Sequence, residues 1–125
     1  MILDTNAVSS LFIGDPKLAE VLAEHERHQL PVIVVGEYAF GLSRSRGRQR
    51  LHTLLNQLVR ESDILEIDLE TARHYSEVRG ALYRRGQPIP ENDLWIAALC
   101  FQHGQRLVSR DLHFDRIPEL RREGW

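Results

Sequence analysis

Hydrophobic residues fall along this chain in two patterns, short β-branched runs and longer stretches with helical spacing. Ile2-Leu3, Pro31 to Val35 and Arg106 to Ser109 have the continuous apolar character of buried parallel strands, and Ile64 to Ile67 predicts an edge or half-exposed strand. Between them, Leu18, Val21 and Leu22 mark one helical stripe, and Leu51, Leu54, Leu55 and Leu58 mark another. From Leu69 to about Arg85, Ala72, Tyr75, Val78 and Leu82 recur at helical intervals, and Gly86 supplies a stop. Pro88-Ile89-Pro90 then breaks the chain. A further helix is predicted from Asn92 to about His103, closed by Gly104; it is apolar nearly all round and therefore central.

Strands separated by helices, with no hairpin dipeptides, predict an α/β fold built on a mainly parallel sheet, because parallel strands need crossover connections. At 125 residues the chain is near the usual size of one domain, so residues 1–125 are read as a single unit. No apolar run reaches the ~18–20 residues that span a bilayer. Met1 runs into Ile2-Leu3-Asp4 without a signal-peptide pattern, which predicts a cytoplasmic protein with no membrane partner.

Composition narrows the chemistry. A lone cysteine, Cys100, excludes an internal disulfide framework or a thiolate-rich zinc site, and its apolar helix predicts an inert core thiol. The formal net charge of −2 excludes nucleic-acid binding by bulk charge alone, so a polyanion would need a local patch. All of the 16 cations except Lys17 are arginine, whose guanidinium fork matches phosphate or carboxylate. Arg44, Arg46, Arg48 and Arg50 form the one notable run, either a solvated helix start or an edge that tracks phosphates. Arg84-Arg85 is a second, weaker patch. There is no Walker lysine motif and no GxGxxG.

In parallel α/β sheets the functional crevice lies beyond the carboxyl ends of the strands. Asp4 follows the first strand, Glu37 the second, Asp93 opens the central helix and Asp111 follows the strand after it. A single strand-end acid is ordinarily a helix cap, but four converging carboxylates repel one another unless a cation neutralises them. An all-oxygen site suits Mg²⁺ or Mn²⁺ better than zinc, and such ions share their coordination with phosphate, which points to a phosphodiester substrate. One ion with a carboxylate base and two ions ~3.5–4 Å apart both remain open. Asn6, Asn92 and Ser109 add neutral groups able to orient the acids. Asp68 is expected to cap its helix, Asp115 to lie at the surface, Trp95 in the core and Trp125 at the end of the last strand. The six histidines, with no paired metal spacing, are expected at the surface.

Asp4-Thr5-Asn6, Gly36-Glu37, Glu91-Asn92-Asp93-Leu94-Trp95-Ile96-Ala97-Ala98, and Ser109-Arg110-Asp111 with Phe114 together resemble the PIN-domain ribonucleases, specifically VapC-type toxins of toxin–antitoxin modules. The Glu91 to Ala98 block is the most specific part, and the resemblance spans the whole chain. It implies a parallel sheet with helices on both sides and Mg²⁺- or Mn²⁺-dependent cleavage of RNA, such as tRNA or rRNA. It implies catalytic acids at Asp4, Glu37, Asp93 and Asp111, with metal held chiefly by Asp4 and Asp93 and supported by the other two. It also implies a homodimer and a hetero-oligomer with a small VapB-type antitoxin. Ser109 stands where many members have Thr, which keeps the hydroxyl. A metal-dependent in-line hydrolysis would leave a 5′-phosphate and a 3′-hydroxyl. The alternatives are a non-catalytic module whose acidic crevice receives a basic peptide, and an RNA-maturation nuclease of the same superfamily.

Overall fold

The computed structural model describes residues 1–25 and 27–125. The elements run β1 (Ile2–Leu3), α1 (Thr5–Phe12), α2 (Pro16–Leu22), β2 (Gln29–Pro31), α3 (Val32–Ser43), α4 (Gln49–Glu61), β3 (Asp63–Leu65), α5 (Leu69–Arg85), α6 (Glu91–His103), β4 (Leu107–Val108), a 3₁₀ turn (Leu112–Arg116) and β5 (Arg122–Glu123). The sheet order is β3-β2-β1-β4-β5, and every pairing is parallel. Successive strands step outward from β1 to β3, and the chain then crosses back to place β4 on the other side of β1. With right-handed crossovers, that reversal puts α1 to α4 and α5–α6 on opposite faces. The reversal also makes the carboxyl ends of β1 and β4 the topological switch point, where open parallel sheets bind ligands.

Ile2, Leu3, Leu107 and Val108 are completely buried at the middle of the sheet. Removing each such side chain from water contributes roughly 1.5–3 kcal/mol. α6 buries Leu94, Ile96, Ala97, Ala98, Leu99 and Cys100, as its nearly continuous apolar sequence predicts, and packs along α5. Gly86 and Gly104 end α5 and α6 with φ of 64° and 61°, the left-handed conformation in which each cap N–H reaches back to the last helical carbonyls. Among the described residues no helix is long and apolar enough to cross a membrane.

The second strand departs from the sequence pattern. Only Gln29–Pro31 is extended, and Val32 to Val35, predicted as strand, form the first turn of α3 behind Pro31 as N-cap. β-Branched residues favour strands only weakly. Here packing decides, because α3 lies against α1 with Val34 and Leu42 buried on one face. The edge strand is Asp63–Leu65, starting one residue before the predicted Ile64 and ending two before Ile67. β5 is short and polar, and Trp125 lies two residues beyond it rather than within it.

Candidate active site

The site begins where β1 ends. Asp4 is 5% exposed and serves as the N-cap of α1, its Oδ1 accepting from Thr5 N at 2.8 Å. Its other oxygen is held from across the sheet, because the fully buried Ser109 donates its hydroxyl to Asp4 Oδ2 at 2.6 Å. Asn6 clamps the same corner. Its amide nitrogen lies 3.3 Å from both Asp4 Oδ2 and Ser109 Oγ, and its Oδ1 accepts from Arg110 N at 3.1 Å. The Ser109 hydroxyl also accepts from Asp111 N at 3.0 Å, so one buried hydroxyl fixes both Asp4 and the loop carrying Asp111.

Asp93 enters from the first turn of α6, and Glu37 from the second turn of α3 rather than from a strand end. The residue expected after a strand therefore comes from a helix. Asp111 caps the 3₁₀ turn, accepting from His113 N at 2.9 Å. Asp93, Asp111 and His113 each offer one ligand atom within 4.8 Å of the others.

These acids act on one another. Burial pushes the Asp93 carboxyl up to about 6, and the charges of Asp4, Asp111 and Glu37 add to the effect while His113 opposes it. Burial also raises Asp4, offset by the hydrogen bonds from Ser109 and Thr5, and Asp111 adds repulsion. Burial and then the charge of Asp4 raise Glu37, and the Asn92 amide beside it lowers it. Among the described residues no Lys or Arg forms an ion pair with any of the four acids, and the basic side chain that approaches them within 4 Å is His113. Glu37 Oε1 and His113 Nδ1 are buried without hydrogen-bond partners. A concentrated set of unneutralised oxygens with orphaned ligand atoms is the donor chemistry of a divalent-cation site, and these residues fit one.

Asn6, Asn92 and Ser109 stand beside the acids as predicted. The arginine run does not join them. It occupies the turn between α3 and the start of α4, at least seven residues beyond Glu37 along the chain, and Arg44, Arg46, Arg48 and Arg50 are all exposed. Arg48 is spent on the carbonyls of Ser43 and Ser45, at 2.9 and 3.1 Å. Asp68 caps α5 through a reciprocal bond with Thr71, as expected. Asp115 is an exposed partner of Arg122 at 2.7 Å. Burial pushes the Cys100 thiol up to about 12, which makes it inert. Trp95, expected in the core, is half-buried and stacks on Tyr75 with ring centroids 4.0 Å apart.

His113 is the residue that pattern reading missed. His25, His52 and His103 are exposed as expected, whereas His113 Nδ1 turns inward, 3.1 Å from Asp111 Oδ1 and 3.7 Å from Asp93 Oδ2. The signal lay in its position two residues after Asp111 and next to Phe114, which is fully buried and anchors the 3₁₀ turn.

Residues 1–120 match the PIN domain family. The VapC ribonuclease Y4jK of Sinorhizobium fredii is 31% identical over 121 residues, covering 89% of this chain and 86% of that protein. The tRNA(fMet)-specific endonuclease VapC of Salmonella typhimurium is 29% identical over 94 residues, 74% of this chain and 71% of its own. Among solved structures, VapBC2 from Rickettsia felis bound to a promoter DNA fragment superimposes with a TM-score of 0.86 at 27% identity, covering 99% of this chain and 97% of that one.

Proposed function

This chain belongs to the PIN-domain family and, within it, to the VapC ribonucleases of toxin–antitoxin systems, and on that premise we propose that Asp4, Glu37, Asp93 and Asp111 form its catalytic centre. The protein is an endoribonuclease and the toxin of its pair. The observation that carries the site is the convergence of four carboxyl groups from four separate segments, with no Lys or Arg in ion-pair contact with them among the described residues.

Asp4, Asp93 and Asp111 are assigned as holders of Mg²⁺ or Mn²⁺. When bound, such an ion supplies Lewis acidity toward a phosphodiester and lowers the pKa of water. The protein's own groups do the rest. Ser109 and Asn6 fix the Asp4 carboxylate through its Oδ2. Glu37 Oε1, unpartnered and on a carboxyl of raised pKa, is placed to take the proton of the attacking water. Asn92 steadies that carboxylate. In-line displacement then leaves a 5′-phosphate and a 3′-hydroxyl.

The substrate is assigned as an unpaired loop of tRNA or rRNA, since RNA is read mainly where bases are unstacked, and the Salmonella relative is named for tRNA. The partner is assigned as a VapB-type antitoxin, supported by the VapBC complexes that share this fold, on a homodimer of this chain acting in the cytoplasm. Those complexes also favour a toxin over an RNA-maturation enzyme.

The test is induction of the chain in a bacterial host followed by genome-wide mapping of RNA 5′ ends. Wild type is expected to generate new 5′-monophosphate ends confined to loops of tRNA or rRNA, absent with Asp93→Asn. Identical ends in both strains would overturn the assignment.

A further inference from the structure

His113 stands among the acids with an atom the hydrogen-bond network does not use. Its Nδ1 is buried and unpartnered although Asp111 Oδ1 is only 3.1 Å away, because the two do not meet in hydrogen-bond geometry. That spacing has another meaning. Neighbouring ligands of an octahedral ion at about 2.1 Å stand about 3.0 Å from one another, close to the Nδ1 to Oδ1 separation. Asp93 Oδ2 lies 3.7 Å from the same nitrogen, and the three residues each bring one ligand atom within 4.8 Å of the others.

The backbone beneath the imidazole is also held in place. The His113 backbone N–H is bonded to Asp111, and the neighbouring Phe114 and Ile117 are buried. The turn therefore keeps residue 113 beside Asp111.

Resting on the metal site assigned above, we infer that His113 Nδ1 is a direct ligand of the cation, and that it biases this centre toward Mn²⁺ and related first-row ions over Mg²⁺. Carboxylates serve Mg²⁺ and Mn²⁺ alike, whereas an imidazole nitrogen suits transition metals and adds little for Mg²⁺. The site is a mixed nitrogen and oxygen centre.

The test is pulsed EPR of Mn²⁺ bound to the full chain freed of any antitoxin, with wild type, His113→Ala, His113→Gln and Asp93→Asn compared, alongside calorimetric titration with Mn²⁺ and Mg²⁺. Wild type is expected to show ¹⁴N modulation that both His113 variants lose. Mn²⁺ affinity should fall at least about tenfold in those variants, while Mg²⁺ affinity changes less than about twofold and so certifies an intact site. Mn²⁺ bound with the same ¹⁴N signal in wild type and both variants overturns the ligand assignment and leaves the acidic site standing, and an equal loss of affinity for both metals overturns the preference for Mn²⁺. Mn²⁺ binding that is absent in wild type, or unaffected by Asp93→Asn, overturns the acidic site and the inference together.

Discussion

The Ser109 hydroxyl donates to Asp4 Oδ2 at 2.6 Å across a sequence separation of 105 residues, so the ends of β1 and β4 are tied together beside the proposed catalytic centre. Ser109→Ala removes this donor from a buried carboxylate, and the same change releases Asp111 N. Metal affinity should fall about tenfold or more by titration, and stability by about 1–3 kcal/mol. Ser109→Thr, which keeps the hydroxyl, should restore both. Undiminished metal binding in Ser109→Ala would show that the bond does not orient Asp4.

The metal-free protein should lose stability as pH rises. Asp93 has its ordinary value of 3.8 unfolded and about 6 folded, and Asp4 and Glu37 shift in the same direction. A raised acid binds protons more tightly in the folded state, so its favourable contribution is complete below about 4 and is lost as pH passes through 6. Thermal melts in EDTA should therefore show a midpoint that declines from pH 4.5 to 7. In Asp93→Asn the decline should flatten, with the pH 7 midpoint higher by about 4 °C, allowing about 1 kcal/mol for a partly solvated carboxylate. Equal slopes for wild type and variant would rule out Asp93 as the source.

The arginine turn should separate into two classes. Arg44 and Arg46 make no side-chain hydrogen bond among the described residues, whereas Arg48 holds the carbonyls of Ser43 and Ser45. If the turn tracks phosphates, Arg44→Ala and Arg46→Ala raise KM without changing kcat. Each should also lower the salt-dependence slope of RNA binding by about 0.7. Unchanged slopes in filter-binding assays would leave the run as a solvated turn.

Thr71 provides the contrast of a purely structural residue. It is fully buried, closes the capping box with Asp68 and also bonds Gln102. Thr71→Ala should lower stability by about 1–2 kcal/mol in denaturant melts and leave metal affinity unchanged. A loss of metal binding at full occupancy of the folded state would contradict that separation.

Asp4, Asp93 and Asp111 were legible in the sequence because each follows or opens an element whose apolar pattern is strong. Glu37 was legible as a residue but not as a position, since Val32 to Val35 carry strand propensity that packing against α1 overrides. β5 was invisible as a pattern, because Arg122 and Glu123 are polar and join the sheet through the backbone ladder and through side-chain bonds to Ser109 O and Arg106. His113 lacked the i, i+4 spacing that marks histidine pairs, and only the 3₁₀ turn brings it beside Asp93. Trp95 reads as core by composition, yet it is half-buried and stacks its ring on Tyr75 of α5.

The most direct measurement of the central claim is cleavage of total cellular RNA by purified antitoxin-free protein, with Mg²⁺ or Mn²⁺, with EDTA, and with Asp4→Asn and Asp93→Asn in parallel. Discrete fragments bearing 5′-phosphates and 3′-hydroxyls are expected, abolished by EDTA and reduced at least about a hundredfold in both variants. Cleavage that persists undiminished in both variants would contradict the assignment of the acidic crevice as the catalytic centre.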